Sequence, residues 1–578
     1  MNFRKQSLGM TYFFGSFIVH ANDFCRKVLN ERHVNMIAFS ACIGVGLFLQ
    51  SGKVIFLAGP GLAVIAYILS GSIIWSVISS LGEMTALFPI QGGLFVFPAR
   101  FLDEGVGYAV GWMTWFSWVV IVASEILAVS QLWNFRFTTE YLENAGYSSP
   151  GREPSLGWRV GQDTNPAVWV FIWLIFIFLI NCLPVLWYGR LEYIFGCMKM
   201  VFLCGLILFN VIINSLQRVK HPPNGGSWTY DKPYGFASHN ITVRVDDKGN
   251  DLVVVGGNAG VFLAMWTAMT TIIFSMIGFE TVSITAPECA PLRSTEAIKM
   301  GTRKTLSRVV ILYTLCTLVV GFNVPYTDPN LRDLTINSIG QGQNSIYILA
   351  AVRNNIHGWP NFFNGVFIFS ATTSGINSLY LSSRILHALA SNRDAWPETR
   401  FFQGLRGRLE RTTWGVPYNS IFASWLFGLL AFLSTKQEPT VQLGRLATNS
   451  VVSMLIVYAL ICASYLRFYD CIDKASTGRI EKVNHAEQDL QAFNRRNRHY
   501  PFKSRGQWLK ASYGLVGCCL LAFFNGWRSF VSPFSAADFV ASYISVSLNH
   551  IICSKTINLI RALDSNFLRT SCGISCEA

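Results

Sequence analysis

Phe39-Ser40-Ala41-Cys42-Ile43-Gly44-Val45-Gly46 and Phe274-Ser275-Met276-Ile277-Gly278-Phe279-Glu280 read as two copies of one device. Each lies inside an apolar run long enough to cross a bilayer, and each sets glycine where a membrane helix would otherwise continue. Glycine weakens a helix and lets backbone approach a ligand closely. Non-helical backbone at membrane depth survives only where it is buried in protein or lines a cavity. Paired interruptions in two halves of a chain are the strongest sequence pointer to a transporter's binding site.

The composition around them fits a membrane. Of 578 residues, 51% are hydrophobic and 13% charged, with 17 Trp and 44 Phe. Soluble domains carry roughly 25% charged residues. The apolar runs are continuous rather than alternating, which predicts spanning helices and not barrel strands. Eleven spans are expected, at 35–57, 62–85, 106–133, 167–187, 193–214, 260–285, 307–325, 361–388, 417–434, 447–468 and 511–531. A twelfth near 536–560 is interrupted by Asp538, His550 and Lys555. Its clean core falls short of the ~20 residues a span needs. The Met10–His20 run is short, aromatic and without a small-residue cleavage site, so no secretory signal is expected.

The net charge of +14 follows topology. With the N-terminus inside, the inner segments carry over twice as many Lys and Arg as the outer loops, in blocks such as Arg293–Arg308, Arg393–Arg411 and Arg467–Lys510. That is the positive-inside bias. A basic nucleic-acid surface would need a soluble domain to present it, and none is read. None of the 14 cysteines falls in the outer loops 135–166, 215–259, 329–360 or 435–446, which argues against structural disulfides on the oxidising side. The sequon Asn240-Ile241-Thr242 lies in the longest outer loop, and the alternating stretch 241–255 predicts a small hairpin. The organisation is a cytoplasmic arm over 1–31, one membrane domain over 32–535 and an atypical segment over 536–578. Breaks in spans one and six imply five-span repeats of opposite orientation.

Several motifs resemble fungal amino-acid permeases of the amino acid–polyamine–organocation superfamily. They are His33–Gly52, Gly82-Glu83 through Gly92-Gly93 to Arg100-Phe101-Leu102-Asp103-Glu104, Phe274–Glu280 with Pro287-Glu288, and Asn377–Arg384. They occur in order from about residue 27 to 535. The resemblance implies an all-α integral membrane protein of LeuT type, a 5+5 inverted repeat with about twelve helices. It implies amino-acid import by proton symport and alternating access, with the proton as coupling ion and no cofactor or metal. It also implies residence in the plasma membrane and a ubiquitin-ligase adaptor acting on the cytoplasmic tails. A non-transporting sensor of the same fold is the alternative; such members carry a long N-terminal extension, against the short arm here. The first 26 residues and Ser545–Ala578 depart from the family pattern, as an altered gene model or splice form would.

An amino acid brings two charges to the site. Backbone N–H groups at Ile43, Gly44, Val45, Gly46 and Leu47 are expected to hold its carboxylate with the dipole of a half-helix. Carbonyls of Phe274, Ser275 and Ile277, freed by Gly278, are expected to take its ammonium, with Phe279 as a cover. The rival reading makes these glycines close-packing residues. Buried ionisable groups in a membrane are functional by default. Glu125 and Glu280 are expected to give proton linkage or structural support. At Ala123-Ser124-Glu125 the family's usual proline is missing, which puts the helix bend in doubt. Lys199 matches a lysine of the family pattern, and burial would let it load and release a proton. Its rival reading is a lysine snorkelling to the inner interface. Glu83, Arg100, Glu192, Glu288 and Arg384 are expected at the cytoplasmic gate, with Glu83 and Glu288 paired to Arg100, Arg303 or Arg308.

Overall fold

The computed structural model describes residues 30–147, 154–215, 241–245, 251–288, 298, 301–302, 306–332, 345–434, 439–476, 495, 500–503, 506–532 and 534–544. Most of the arm over 1–31, Asn240 of the sequon, Arg293, Arg303 and most of the weak twelfth run lie outside these residues.

The architecture is a helical bundle. Helix α1 (Glu31–Cys42) runs through the first glycine break into α2 (Val45–Leu87). Then follow α3 (Gly93–Phe101), α4 (Glu104–Trp133), α5 (Pro166–Asn181) and α6 (Val185–Ser215). Strands β1 (Ile241–Val245) and β2 (Asp251–Val255) form the expected hairpin, antiparallel with Ile241 opposite Val255. The second break separates α7 (Gly257–Ser275) from α8 (Thr281–Thr285). The chain continues with α9 (Leu306–Gly321), α10 (Ile346–Arg353), α11 (Trp359–Ser391), α12 (Arg400–Leu409), α13 (Tyr418–Phe427), α14 (Pro439–Ser476) and α15 (Gln507–Phe524).

Among the described residues, six helices are long and apolar enough to cross a membrane, the first being the interrupted stretch Arg32–Leu87. Each of the eleven expected runs contains a helix of the bundle. Two boundaries differ from expectation, both for backbone reasons. The first two runs join in one 43-residue element, bent where Gly59 leaves helical geometry (φ 72°, ψ 166°) ahead of Pro60. The fourth run ends at Asn181 rather than 187, because Pro184 precedes α6 and residues 185–187 begin that helix.

Helix α4 runs through the middle of the bundle and packs on α11 and α14. It is continuous over Ala123-Ser124-Glu125, so losing the family's proline leaves a regular helix there. Helix α6 shows how the surface is built. Its buried stripe is Tyr188, Glu192, Gly196, Lys199, Leu203, Leu206 and Asn210. Its exposed side carries Ile194, Met198, Val201, Leu208 and Ile212. The polar groups face inward and the apolar ones outward, the reverse of a soluble amphipathic helix and the order a lipid surround requires. Helix α11 is less apolar because of its Ser, Thr and Asn residues. Its Thr372, Thr373 and Ser378 hydroxyls donate to carbonyls one turn back, which removes most of their cost in an apolar setting.

Candidate functional site

The first break is two residues wide. Helix α1 stops at Cys42; Ile43 (φ −92°, ψ 95°) and Gly44 (φ −133°, ψ −153°) are extended, and α2 restarts at Val45. A helix end leaves carbonyls without partners. Here other helices supply them. Lys199 Nζ donates to the Ser40 carbonyl at 2.8 Å and to the Ile43 carbonyl at 2.6 Å. Ser370 Oγ donates to the same Ile43 oxygen at 3.1 Å, and the Tyr313 hydroxyl to the Cys42 carbonyl at 2.7 Å. On the far side of the break, the Val45 N–H points to Glu125 Oε2 at 3.4 Å. The Ser374 hydroxyl donates to Glu125 Oε1 at 3.0 Å. Glycine is needed for this closeness. A Cβ on Gly44 would lie 2.4 Å from Glu125 Oε1, and one on Gly46 2.6 Å from the Ser275 Cα.

At the second break α7 ends at Ser275 and the chain turns through Gly278, whose φ of +126° suits no L side chain. Glu280 fastens this loop: its Oε2 accepts the Gly278 N–H at 3.1 Å and the Tyr458 hydroxyl at 2.7 Å. Among the described residues no donor reaches the Ser275 or Ile277 carbonyl. Both oxygens are left open, whereas the Phe274 carbonyl already accepts the Met276 N–H.

The two breaks meet at a cavity of about 290 Å³. Gly44, Gly46, Glu125, Phe274, Ser275 and Ile277 line it. Ile43, Val45, Gly278 and Phe279 do not; they lie in the packed backbone behind it. Trp118, Ile121 and Ser374 line the cavity and escaped the sequence reading. Trp118, Ile121 and Glu125 are three, four and seven residues apart on α4, which puts them on one helix face. That spacing from Glu125 was the signal that would have found the first two.

Lys199 is 2% exposed and tied to the first break, so it does not snorkel. Glu192 lies two turns away on the same face of α6, fully buried. Asn377 donates to Glu192 Oε2 at 2.7 Å and accepts from the Tyr188 hydroxyl at 2.8 Å. The Tyr188 ring stacks on Tyr380 at 4.3 Å, and the Tyr380 hydroxyl donates to Glu288. Arg384 Nε pairs with Glu288 Oε1 at 2.8 Å, beside a second cavity of about 480 Å³ that His387 also lines. These contacts form a polar column from the first break to Glu288 and Arg384, and Glu192 belongs to its middle.

The gate carboxylates find partners that were not expected, while Arg303, one of the expected ones, lies outside the described residues. Glu288 pairs with Arg384, and Glu83 with Arg495; neither meets Arg100 or Arg308 in an ion pair among the described residues. Glu83 also accepts from Tyr465 at 2.7 Å and Tyr500 at 3.0 Å. Arg495 comes from 412 positions further along the chain, a pairing that no local motif announces. Arg100 is exposed at the end of α3.

A bundle with outward apolar faces and several helices long enough to span a bilayer has the build of a multi-pass membrane protein. The chain matches the model of the amino acid permease family over residues 33–562, and it belongs to that family. Amino-acid transport is the function this membership supports. Similar proteins include a lysine/arginine permease of Candida albicans, 27% identical over 90% of this chain and 78% of its own length. A basic amino-acid permease of Saccharomyces cerevisiae is 28% identical over 90% and 79%. A proline-specific permease of Emericella nidulans is 29% identical over 90% and 82%.

Proposed function

We propose that this chain imports amino acids together with protons, by alternating access around a site at the paired helix breaks. Its helices would form two five-span repeats of opposite orientation in the plasma membrane, with the N-terminus and the adaptor-binding tails in the cytoplasm. The observation that carries the reading is the cavity bounded by the N-terminus of α2 on one side and the open Ser275 and Ile277 carbonyls on the other. Those two poles match the carboxylate and ammonium of a zwitterion. Glu125 lines the cavity at the start of α2, the pole where a substrate carboxylate would also bind, so substrate entry would displace or protonate it. Lys199 holds the carbonyls of the same break. A change of charge on either group therefore reaches the substrate site directly, the linkage that proton symport needs. Residues Glu288, Arg384 and Glu83 would then close the cytoplasmic side.

The test is uptake of labelled amino acids by proteoliposomes holding the full chain, with and without an imposed pH gradient. Accumulation that requires the gradient supports symport. Binding without accumulation would point to a sensor, and flux that only equilibrates would point to an uncoupled path.

A further inference from the structure

We infer that the substrates of this site are neutral amino acids with apolar side chains; the inference rests on the transport reading above but names its substrate class. Two of the relatives are named for basic substrates, yet the cavity here makes no provision for a second positive charge. Glu125 is the carboxylate among its lining residues, and it already faces the Val45 N–H and the Ser374 hydroxyl. Glu192 and Glu280 lie outside the lining, engaged by Asn377 and by Gly278 with Tyr458. Lys199 already brings one positive charge to the Ile43 carbonyl behind Gly44. The other large side chains of the lining, Trp118, Ile121, Phe274 and Ile277, are apolar.

Desolvating an unpaired ammonium costs more than the cation–π attraction that the Trp118 and Phe274 rings offer. An apolar side chain instead gains by leaving water. Trp118 is 1% exposed, and among the described residues its indole Nε1 has no partner. It offers a donor to the carboxylate that every amino acid carries. Ile121 lies one turn from both Trp118 and Glu125 on α4, so it is positioned to set side-chain selectivity.

The experiment measures labelled leucine and labelled lysine on the same purified full-length protein, by equilibrium binding in detergent and by proteoliposome uptake. Leucine is expected to bind at least about tenfold more tightly than lysine, a difference of about 1.4 kcal/mol. Lysine binding as tight as leucine or tighter overturns the inference, whatever uptake shows. Leucine binding without accumulation leaves the substrate class standing and removes transport, while binding of neither removes both. Ile121→Asp is expected to raise the lysine-to-leucine affinity ratio about tenfold. Ile121→Ser, the milder variant, is expected to lower leucine affinity about tenfold. An unchanged ratio in the first, or unchanged leucine affinity in the second, removes Ile121 from this role.

Discussion

At the residue scale the account turns on Lys199. A lysine in an apolar run admits two fates, and its surroundings choose between them. Here the ammonium is buried and donates to Ser40 and Ile43, two carbonyls left by the end of α1. Lys199→Ala would leave the Ser40 carbonyl without that donor, at about 1–3 kcal/mol for a buried group left unsatisfied, while Ile43 keeps the Ser370 hydroxyl. We expect uptake by the variant to fall about tenfold or more, and what remains to lose its dependence on external pH. Initial rates measured across pH 5 to 8 check this; a pH profile like that of the unaltered chain would sink the role. The position of this lysine inside an apolar run was legible in the sequence, while its burial, as against snorkelling, was not. Nor were its acceptors, because Ser40 and Ile43 are 159 and 156 residues away and offer backbone oxygens that carry no side-chain signature.

At the element scale the two breaks act as one unit, since Gly46 packs on the Ser275 backbone. Gly46→Val must push these segments apart, and overpacking of this kind costs typically 1–3 kcal/mol. It would also fill the cavity. The variant is expected to reach the membrane, lose detectable leucine binding and melt several degrees lower in a thermal-shift measurement. Full leucine binding by the variant would show that the close approach is not needed. Both breaks were readable because glycine is the residue that permits them, and Gly278 at φ +126° shows that requirement most clearly. The bend at Gly59-Pro60 went unread: it falls between two expected spans, where a loop was the simpler expectation. Trp118 and Ile121 went unread because a large apolar residue in an apolar helix looks alike whether it faces a cavity, a neighbouring helix or lipid.

At the scale of the whole molecule, long-range pairs close the bundle. Glu83 is fully buried and meets Arg495, Tyr465 and Tyr500. Arg495 also lies over the Tyr469 ring, at 4.4 Å from its centroid. Removing one partner of a buried ion pair costs about 3–5 kcal/mol, whereas removing both leaves no uncompensated charge. Arg495→Gln is therefore expected to lower the melting temperature markedly, and the double variant Glu83→Gln/Arg495→Gln to recover much of the loss. Equal losses in the single and double variants would show that the pair does not hold the segment in place. Glu83 was legible as a charge at a span end, but its partner was not, since Arg495 lies beyond α14 in the polar stretch that no local motif ties to Glu83.

These scales meet in one claim, that a charge change at the first break drives amino-acid movement. The most direct measurement is accumulation of labelled leucine in proteoliposomes of the full chain, with the lumen made alkaline relative to the outside and, in parallel, with no gradient. The account predicts accumulation above the external concentration only with the gradient, and its collapse on adding a protonophore. Equal leucine levels with and without the gradient, at or below the external concentration, would contradict it.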